Sequence, residues 1–121
     1  MRCPCQSGKS YKDCCEQLHD GLRLAKSPEE LMRARYAAYA LGREDFVFSS
    51  WHPKTRPVDV STKGIYWTGL DIIDVADDQV EFIASYIDQS TKEPGRLHER
   101  SLFVTRVGRW FYLKPLRLSE Q

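Results

Sequence analysis

Ile65-Tyr66-Trp67-Thr68-Gly69-Leu70-Asp71-Ile72-Ile73-Asp74-Val75 is where the 121-residue sequence changes its rhythm. Before it, apolar residues recur at helical separations. From Ile65 onward the period moves towards two, and β-branched and aromatic residues become frequent, as in strands lying on a half-buried sheet. Val80 to Gln89, Leu97 to Val107 and Trp110 to Leu113 have the same character. The breaks Ala76-Asp77-Asp78-Gln79, Ser90 to Arg96 and Gly108-Arg109 suit hairpin connections, so four strands in an antiparallel meander are expected.

Upstream, Ser27-Pro28-Glu29-Glu30 supplies an N-cap, a proline at the first helical position and a glutamate three residues after the cap. Leu31, Met32, Tyr36, Tyr39 and Ala40 follow on a helical period and Gly42 can end the run, so a helix is expected over 28–41. Arg43 to Trp51 reads as a second helix, with Glu44 and Asp45 in its first turn and Phe46, Val47 and Trp51 at helical separations. His52-Pro53 stops it, with His52 placed to bond the last carbonyls, and Lys54 to Lys63 reads as a loop. Helices first and strands afterwards indicate an α+β packing in which the helices cover one face of the sheet.

The composition limits the function classes. A net charge of +1 gives no bulk field for nucleic acid or an anionic membrane, so any such contact must be local. No apolar run approaches the roughly 18–20 residues of a membrane helix, and no signal pattern opens the chain; a cytoplasmic location is expected. Charge is uneven along the meander, with seven acids and one base between Leu70 and Glu93, then six bases and one acid between Gly95 and Leu118. Pairing of neighbouring acidic and basic strands accounts for this pattern; a basic ligand-facing patch is the alternative.

All four cysteines, Cys3, Cys5, Cys14 and Cys15, fall within the first fifteen residues. Cysteines so close together make a poor disulfide staple for the rest of the chain, whereas converging thiolates suit a tetrahedral metal site, and zinc is the expected ion. Residues 1–17 are therefore read as a zinc knuckle set apart from the main core, and Gln17 to Lys26 as a connector. Four thiolates around Zn²⁺ carry a formal charge of −2, which Arg2, Lys9 and Lys12 are placed to offset. Ser7-Gly8-Lys9-Ser10 is not a phosphate loop, because Cys3 stands where the first glycine is required.

The run Cys3-Pro4-Cys5-Gln6-Ser7-Gly8-Lys9-Ser10-Tyr11-Lys12-Asp13-Cys14-Cys15 resembles the SEC-C motif, which takes its name from the C-terminus of the bacterial preprotein translocase ATPase. That resemblance implies zinc ligation by Cys3, Cys5, Cys14 and Cys15. Gln6 departs from it, since glycine is common there. Further on, Glu30-Leu31-Met32-Arg33-Ala34-Arg35-Tyr36, Trp51-His52-Pro53, Trp67-Thr68-Gly69-Leu70, His98-Glu99-Arg100-Ser101-Leu102-Phe103 and Gly108-Arg109-Trp110-Phe111-Tyr112 are similar to segments of the YchJ-like bacterial family. This second resemblance implies an NTF2-like cone over 27–115, in which helices pack on a curved antiparallel sheet and can enclose a pocket. Many members of that family have a second SEC-C motif at the C-terminus, and none is present up to Gln121.

Two functions follow as expectations. In the first, the chain is a zinc-binding adaptor whose knuckle presents Lys9, Tyr11 and Lys12 to a protein or ribosome-associated partner. In the second, the cone binds a small molecule or acts as an enzyme, with Arg35, Tyr36, Trp51, His52, Glu99 and Arg100 as candidate pocket residues. Arg35 and Glu99, charged residues inside otherwise core-forming or basic stretches, are expected to face each other between the long helix and the third strand.

Overall fold

The computed structural model describes residues 1–121. A 3₁₀ turn at Tyr11–Asp13 leads into helices α1 (Cys15–His19), α2 (Pro28–Leu41) and α3 (Glu44–Ser49). Strands β1 (Ile65–Ala76), β2 (Gln79–Asp88), β3 (Pro94–Arg106) and β4 (Arg109–Glu120) then form one antiparallel sheet in the order β1-β2-β3-β4. No helix is long and apolar enough to cross a membrane.

Helix α2 starts as its sequence dictates. Ser27 Oγ accepts the Glu30 backbone N–H at 3.1 Å, while the Glu30 carboxylate accepts the Lys26 N–H at 2.8 Å, one residue earlier than in a strict capping box. At the other end Gly42, at φ 75°, takes the left-handed conformation and donates to the Ala38 carbonyl, closing the helix. The buried stripe of α2 holds Leu31, Met32, Ala34, Tyr36, Ala37 and Ala38. It packs into the concave face of the sheet against Val80, Phe82, Ala84 and Phe103.

The sheet curves around α2. Register shifts between Trp67 and Gly69 and between Ile72 and Asp74 bend β1, and two more lie in the β3–β4 pairing, between Arg100 and Ser101 and between Leu102 and Phe103. Each such bulge sharpens the local twist and bends the strand. Helix α3 is tied to β4 through the chain that follows it: the Tyr112 N–H donates to the Ser50 carbonyl at 2.9 Å and the His52 N–H to the Tyr112 carbonyl at 2.8 Å.

On the convex face the acidic and basic strands pair. Glu81 of β2 receives Arg100 at 2.9 Å and His98 at 2.6 Å from β3, and Arg117 at 3.2 Å from β4; Arg100 also reaches Asp74 of β1 at 2.9 Å. His98 and Arg100 of β3 are thus used in strand pairing.

Several expectations need correction. Strand β4 runs to Glu120, well past Leu113, because Pro115 to Glu120 pair with Leu97 to Ser101 of β3. Strand β3 begins at Pro94, before Leu97. The expected connector contains most of α1, and the second helix is shorter than Arg43 to Trp51. The knuckle is not set apart from the main core: Cys3, Cys5, Tyr11, Cys15 and Leu18 belong to the same buried cluster as Leu31 and Met32.

Candidate metal centre and cone cavity

The first site is built by a hairpin and a helix start. The Cys3 N–H donates to the Lys9 carbonyl at 2.9 Å and Arg2 bridges Ser10, so the chain folds back on itself and returns the second cysteine pair to the first. Gln6 at φ 63° and Gly8 at φ 89° make the reversal. All four Sγ atoms lie within 4.8 Å of one another, and all four cysteines are free thiols. Cys5 Sγ is 3.6 Å and Cys15 Sγ 3.9 Å from Cys14 Sγ. A tetrahedral ion with metal–sulfur bonds of about 2.3 Å needs sulfur atoms about 3.8 Å apart, so the donor set fits such an ion.

The electrostatics point the same way. The contacts of Cys15 with Cys3, then Cys5, together with its burial, hold its thiol far up, whereas contact with Cys15 holds Cys5 down. Four sulfurs at this separation, three of them on buried cysteines, cannot all ionise without a cation among them, and a thiophilic metal would supply it. Of the cations expected to offset that charge, Lys9 lies in a groove beside Cys14 and Cys15; Arg23 and Arg33 share the groove with it. Sequence reasoning missed these two arginines, because the fold brings them in from the start of α2 and the segment before it.

The knuckle is clamped to the cone at three places. Arg33 Nη1 donates to the Cys5 carbonyl at 2.6 Å. The Gln6 side-chain oxygen accepts the backbone N–H of Leu70, at the bulge of β1. His19 Nε2 donates to the Ala34 carbonyl at 2.8 Å, which leaves Nδ1 to accept the Tyr11 hydroxyl at 2.7 Å. Arg43 closes this group by donating to the His19 carbonyl at 3.1 Å and pairing with Asp20 at 3.1 Å. Tyr11 is buried here, so of the expected contact residues only Lys9 and Lys12 are exposed; Tyr11 is a prop between knuckle and helix. Nothing in the motif announces the role of His19, although it continues the i, i+4 row from Cys15 along α1.

The second site is a cavity of about 270 Å³ in the mouth of the cone. Arg35 and Tyr36 from α2, Trp51 from beyond α3, Glu99 from β3 and Tyr112 from β4 all reach it, together with Trp67 from β1. Arg35 is buried. Its Nη1 donates to the Val47 carbonyl at 3.0 Å and to Ser50 Oγ at 2.7 Å, and the Ser50 hydroxyl in turn donates to the Phe46 carbonyl. The guanidinium lies 4.9 Å from the Trp51 ring centre and 4.5 Å from that of Tyr112. Burial lowers its pKa, and the neighbouring Tyr39, Tyr112 and Glu99 partly oppose this; an arginine keeps its proton in such a setting.

Glu99 faces the same cavity and is also buried. Its Oε2 accepts the Tyr112 hydroxyl at 2.9 Å and the Ser101 hydroxyl. Burial, then the Glu99 charge, pushes the Tyr112 phenol well up, so it stays protonated and donates. Burial alone raises Tyr36 to about 12. Arg35 and Glu99 therefore share one cavity, but they do not form an ion pair: each is held by its own partners. The Trp51 indole N–H is buried without any acceptor.

His52 and Arg100 lie outside this cavity. His52 packs edge-on to Phe111 at 5.9 Å, and its Nδ1 accepts the Lys54 N–H at 3.0 Å instead of its ring bonding the end of α3. Arg100 follows Glu99 on a strand, so it points to the opposite face, where it joins the Glu81 network. Sequence reasoning missed Tyr39, Trp67 and Ser101 as cavity residues.

A curved four-stranded antiparallel sheet cupping one long helix, with a four-cysteine hairpin docked on it, defines the class as an NTF2-like cone bearing a SEC-C knuckle. The two parts match family models separately: residues 27–115 match "YchJ, middle NTF2-like domain" and residues 2–17 match "SEC-C motif". The chain belongs to the YchJ-like family. A "UPF0225 protein" of Deinococcus radiodurans is 48% identical over 92% of this chain and 85% of its own length. One from Streptomyces coelicolor is 41% identical over 91% and 90%. The solution structure of a SEC-C motif containing protein from Rhodopseudomonas palustris superposes with a TM-score of 0.86 at 33% identity, covering 98% of this chain and all of that one. A crystal structure of a SEC-C motif containing protein from Psychrobacter arcticus gives 0.76 at 26% identity, covering 94% and 81%.

Proposed function

We propose that this protein binds a small, largely apolar molecule in its cone, and that the four-cysteine knuckle holds a structural zinc ion that braces the cone. One observation carries the reading: Arg35 and Glu99 are both buried on the wall of one open cavity and are fixed by separate partners. Had the two charges served the core alone, direct closure would have been the favourable arrangement, because an unpaired buried charge is costly. Zinc suits the knuckle because the four thiolates and their spacing match its coordination, and because the donor set leaves no open position for chemistry.

The test is a titration of the zinc-loaded, isotope-labelled chain with indole and with toluene, following the side-chain signals of Trp51 and Trp67. Shifts at both, with those of strand residues on the convex face unmoved, are the expected result. Shifts spread evenly over the molecule, or none, would overturn the reading. Elemental analysis of protein purified under reducing conditions without added metal is expected to give about one zinc per chain.

The adaptor reading has its own support. Lys9 and Lys12 are exposed on the metal-closed hairpin, where a macromolecule can reach both. A pull-down with the intact chain and with Lys9→Ala/Lys12→Ala decides it. Partners lost on substitution support the knuckle as a docking surface; partners retained move the contact elsewhere.

A further inference from the structure

The cavity carries both signs of charge on its wall. It holds one buried cation and one buried anion, and ten of its thirteen lining residues are hydrophobic. The hydroxyls of Ser101 and Tyr112 both donate to Glu99 Oε2. Oε1 of the same carboxylate has no protein donor. Beside the same Tyr112, whose ring centre lies 4.5 Å from its guanidinium, Arg35 bonds the protein through Nη1 alone. Around Tyr112 the wall thus offers unfilled donors next to an unfilled acceptor. Elsewhere on the lining Trp67 meets Tyr36 at 6.0 Å and Tyr39 at 6.4 Å, edge to face, so the wall suits a flat ring.

We infer that the cone takes an uncharged, bipolar ligand: a planar apolar body with a carbonyl oxygen for Arg35 and an N–H or O–H group for Glu99. This rests on the small-molecule reading above and narrows it. The size follows from the volume. About 270 Å³ is the share of roughly nine liquid waters at ~30 Å³ each, so the enclosed part of the ligand has on the order of ten non-hydrogen atoms. The charge follows from the pair. An anion drawn to Arg35 meets the Glu99 carboxylate across a small apolar space, and a cation drawn to Glu99 meets the guanidinium; at low dielectric either repulsion offsets the attraction. A neutral molecule that satisfies both groups meets no repulsion. Phosphate-bearing ligands are disfavoured on the same ground, since one arginine beside a carboxylate makes a poor phosphate site.

Four probes of matched shape test this on the full zinc-loaded chain: benzamide, benzoate, benzylammonium and toluene, with dissociation constants read from tryptophan fluorescence and nuclear magnetic resonance shifts. Benzamide is expected to bind about tenfold more tightly than each of the others, because its amide alone meets both Arg35 and Glu99 without a like-charge contact. Glu99→Gln keeps the shape and an oxygen for Tyr112 and Ser101 but removes the negative charge, so it is expected to raise benzoate affinity by about tenfold and erase the benzamide preference. Equal binding of benzamide, benzoate and toluene, unchanged in Glu99→Gln, overturns the bipolar ligand while leaving a small-molecule site in place. Binding of none of the four at millimolar concentration overturns the small-molecule reading, and this inference with it.

Discussion

In the knuckle, four sulfur atoms that would carry like charge converge within 4.8 Å, whereas in the cone two residues of opposite charge share a cavity and are held apart by separate hydrogen-bond partners. The first arrangement calls for a cation among the sulfurs, because Lys9, Arg23 and Arg33 line a groove beside Cys14 and Cys15 without lying between the four thiolates. The second needs no ion to hold it, because Ser50 and Val47 fix Arg35 through Nη1 while Tyr112 and Ser101 fix Glu99 through Oε2. Removing the ion should therefore undo the knuckle and leave the cone folded, while changing one charged residue of the cone should cost stability locally and leave the metal bound. The two regions touch through Arg33, Gln6 and His19, so the contrast can be broken at either end or at the joint.

The largest expected effect is at the ion. Cys5 is fully buried, and Cys5→Ser replaces a soft thiolate with a weak ligand. The variant is expected to lose nearly all bound metal by elemental analysis. Hydrogen exchange should then rise first over residues 1–19, with strands β2 and β3 protected as before. Uniform loss of protection across the sheet would mean that knuckle and cone fold as one unit and would end the comparison.

Next is the cone. Arg35→Ala removes a buried cation, two hydrogen bonds and two ring contacts, and leaves the Glu99 carboxylate without a balancing charge. A cost of about 3–5 kcal/mol in chemical denaturation is expected, with zinc content unchanged. Arg35→Met, which keeps much of the packing, is expected to recover part of it.

The joint gives a pH test. Burial, with help from Arg43, lowers the pKa of His19 below its ordinary value of about 6.5, although the Ala34 carbonyl, Asp45 and Asp20 oppose this. The unfolded chain therefore takes up the proton first as pH falls. The stability that His19 contributes is present above about 6.5 and is lost progressively as pH drops towards the folded-state value. His19→Gln lacks this titration, so its stability curve should be flatter than that of the parent between about pH 6.5 and 5. Parallel curves would place the acid sensitivity in the thiolates alone.

What could be read from the sequence divides along the same line. Metal ligands have fixed residue types, so Cys3, Cys5, Cys14 and Cys15 stood out, and the capping of α2 by Ser27 and the alternation in β2 were equally plain. Helix α1 was hidden because five residues are too few for a periodic signal, and closure of the hairpin sets it in place. The end of β4 was hidden because Lys114-Pro115-Leu116-Arg117 reads as a broken, exposed stretch; on an edge strand a proline is tolerated and pairing with β3 decides the matter. In the cavity, Arg35 and Glu99 were visible as charges within core-forming segments. Arg100 could have been excluded on parity, since a strand sends neighbouring side chains to opposite faces. The unpaired state of Arg35 and Glu99 was not readable, because it depends on Ser50 and Tyr112, which approach from two other elements.

The smallest expected effects concern two residues in the left-handed backbone region, one in each part of the molecule. Gln6 sits at φ 63°, a conformation glycine takes without strain, yet its side chain accepts the N–H of Leu70 on β1. Gln6→Gly relieves the backbone but strands that buried donor, and the second term is larger, so a net loss of about 1 kcal/mol is expected. Val107 sits at φ 52° beside Gly108 at φ 73°, in the two-residue turn between β3 and β4, and its side chain is 99% exposed. Such a turn favours asparagine followed by glycine, and a β-branched residue there gains no contact in return for its strain. Val107→Asn is therefore expected to stabilise the fold by about 0.5–1 kcal/mol, read as a higher denaturant midpoint at unchanged slope. Opposite signs at the two positions would show that the knuckle uses its strained residue to grip the cone while the hairpin tip merely tolerates its own. A gain at both would mean that the Gln6 contact contributes nothing to docking, leaving Arg33 and His19 to hold the knuckle in place.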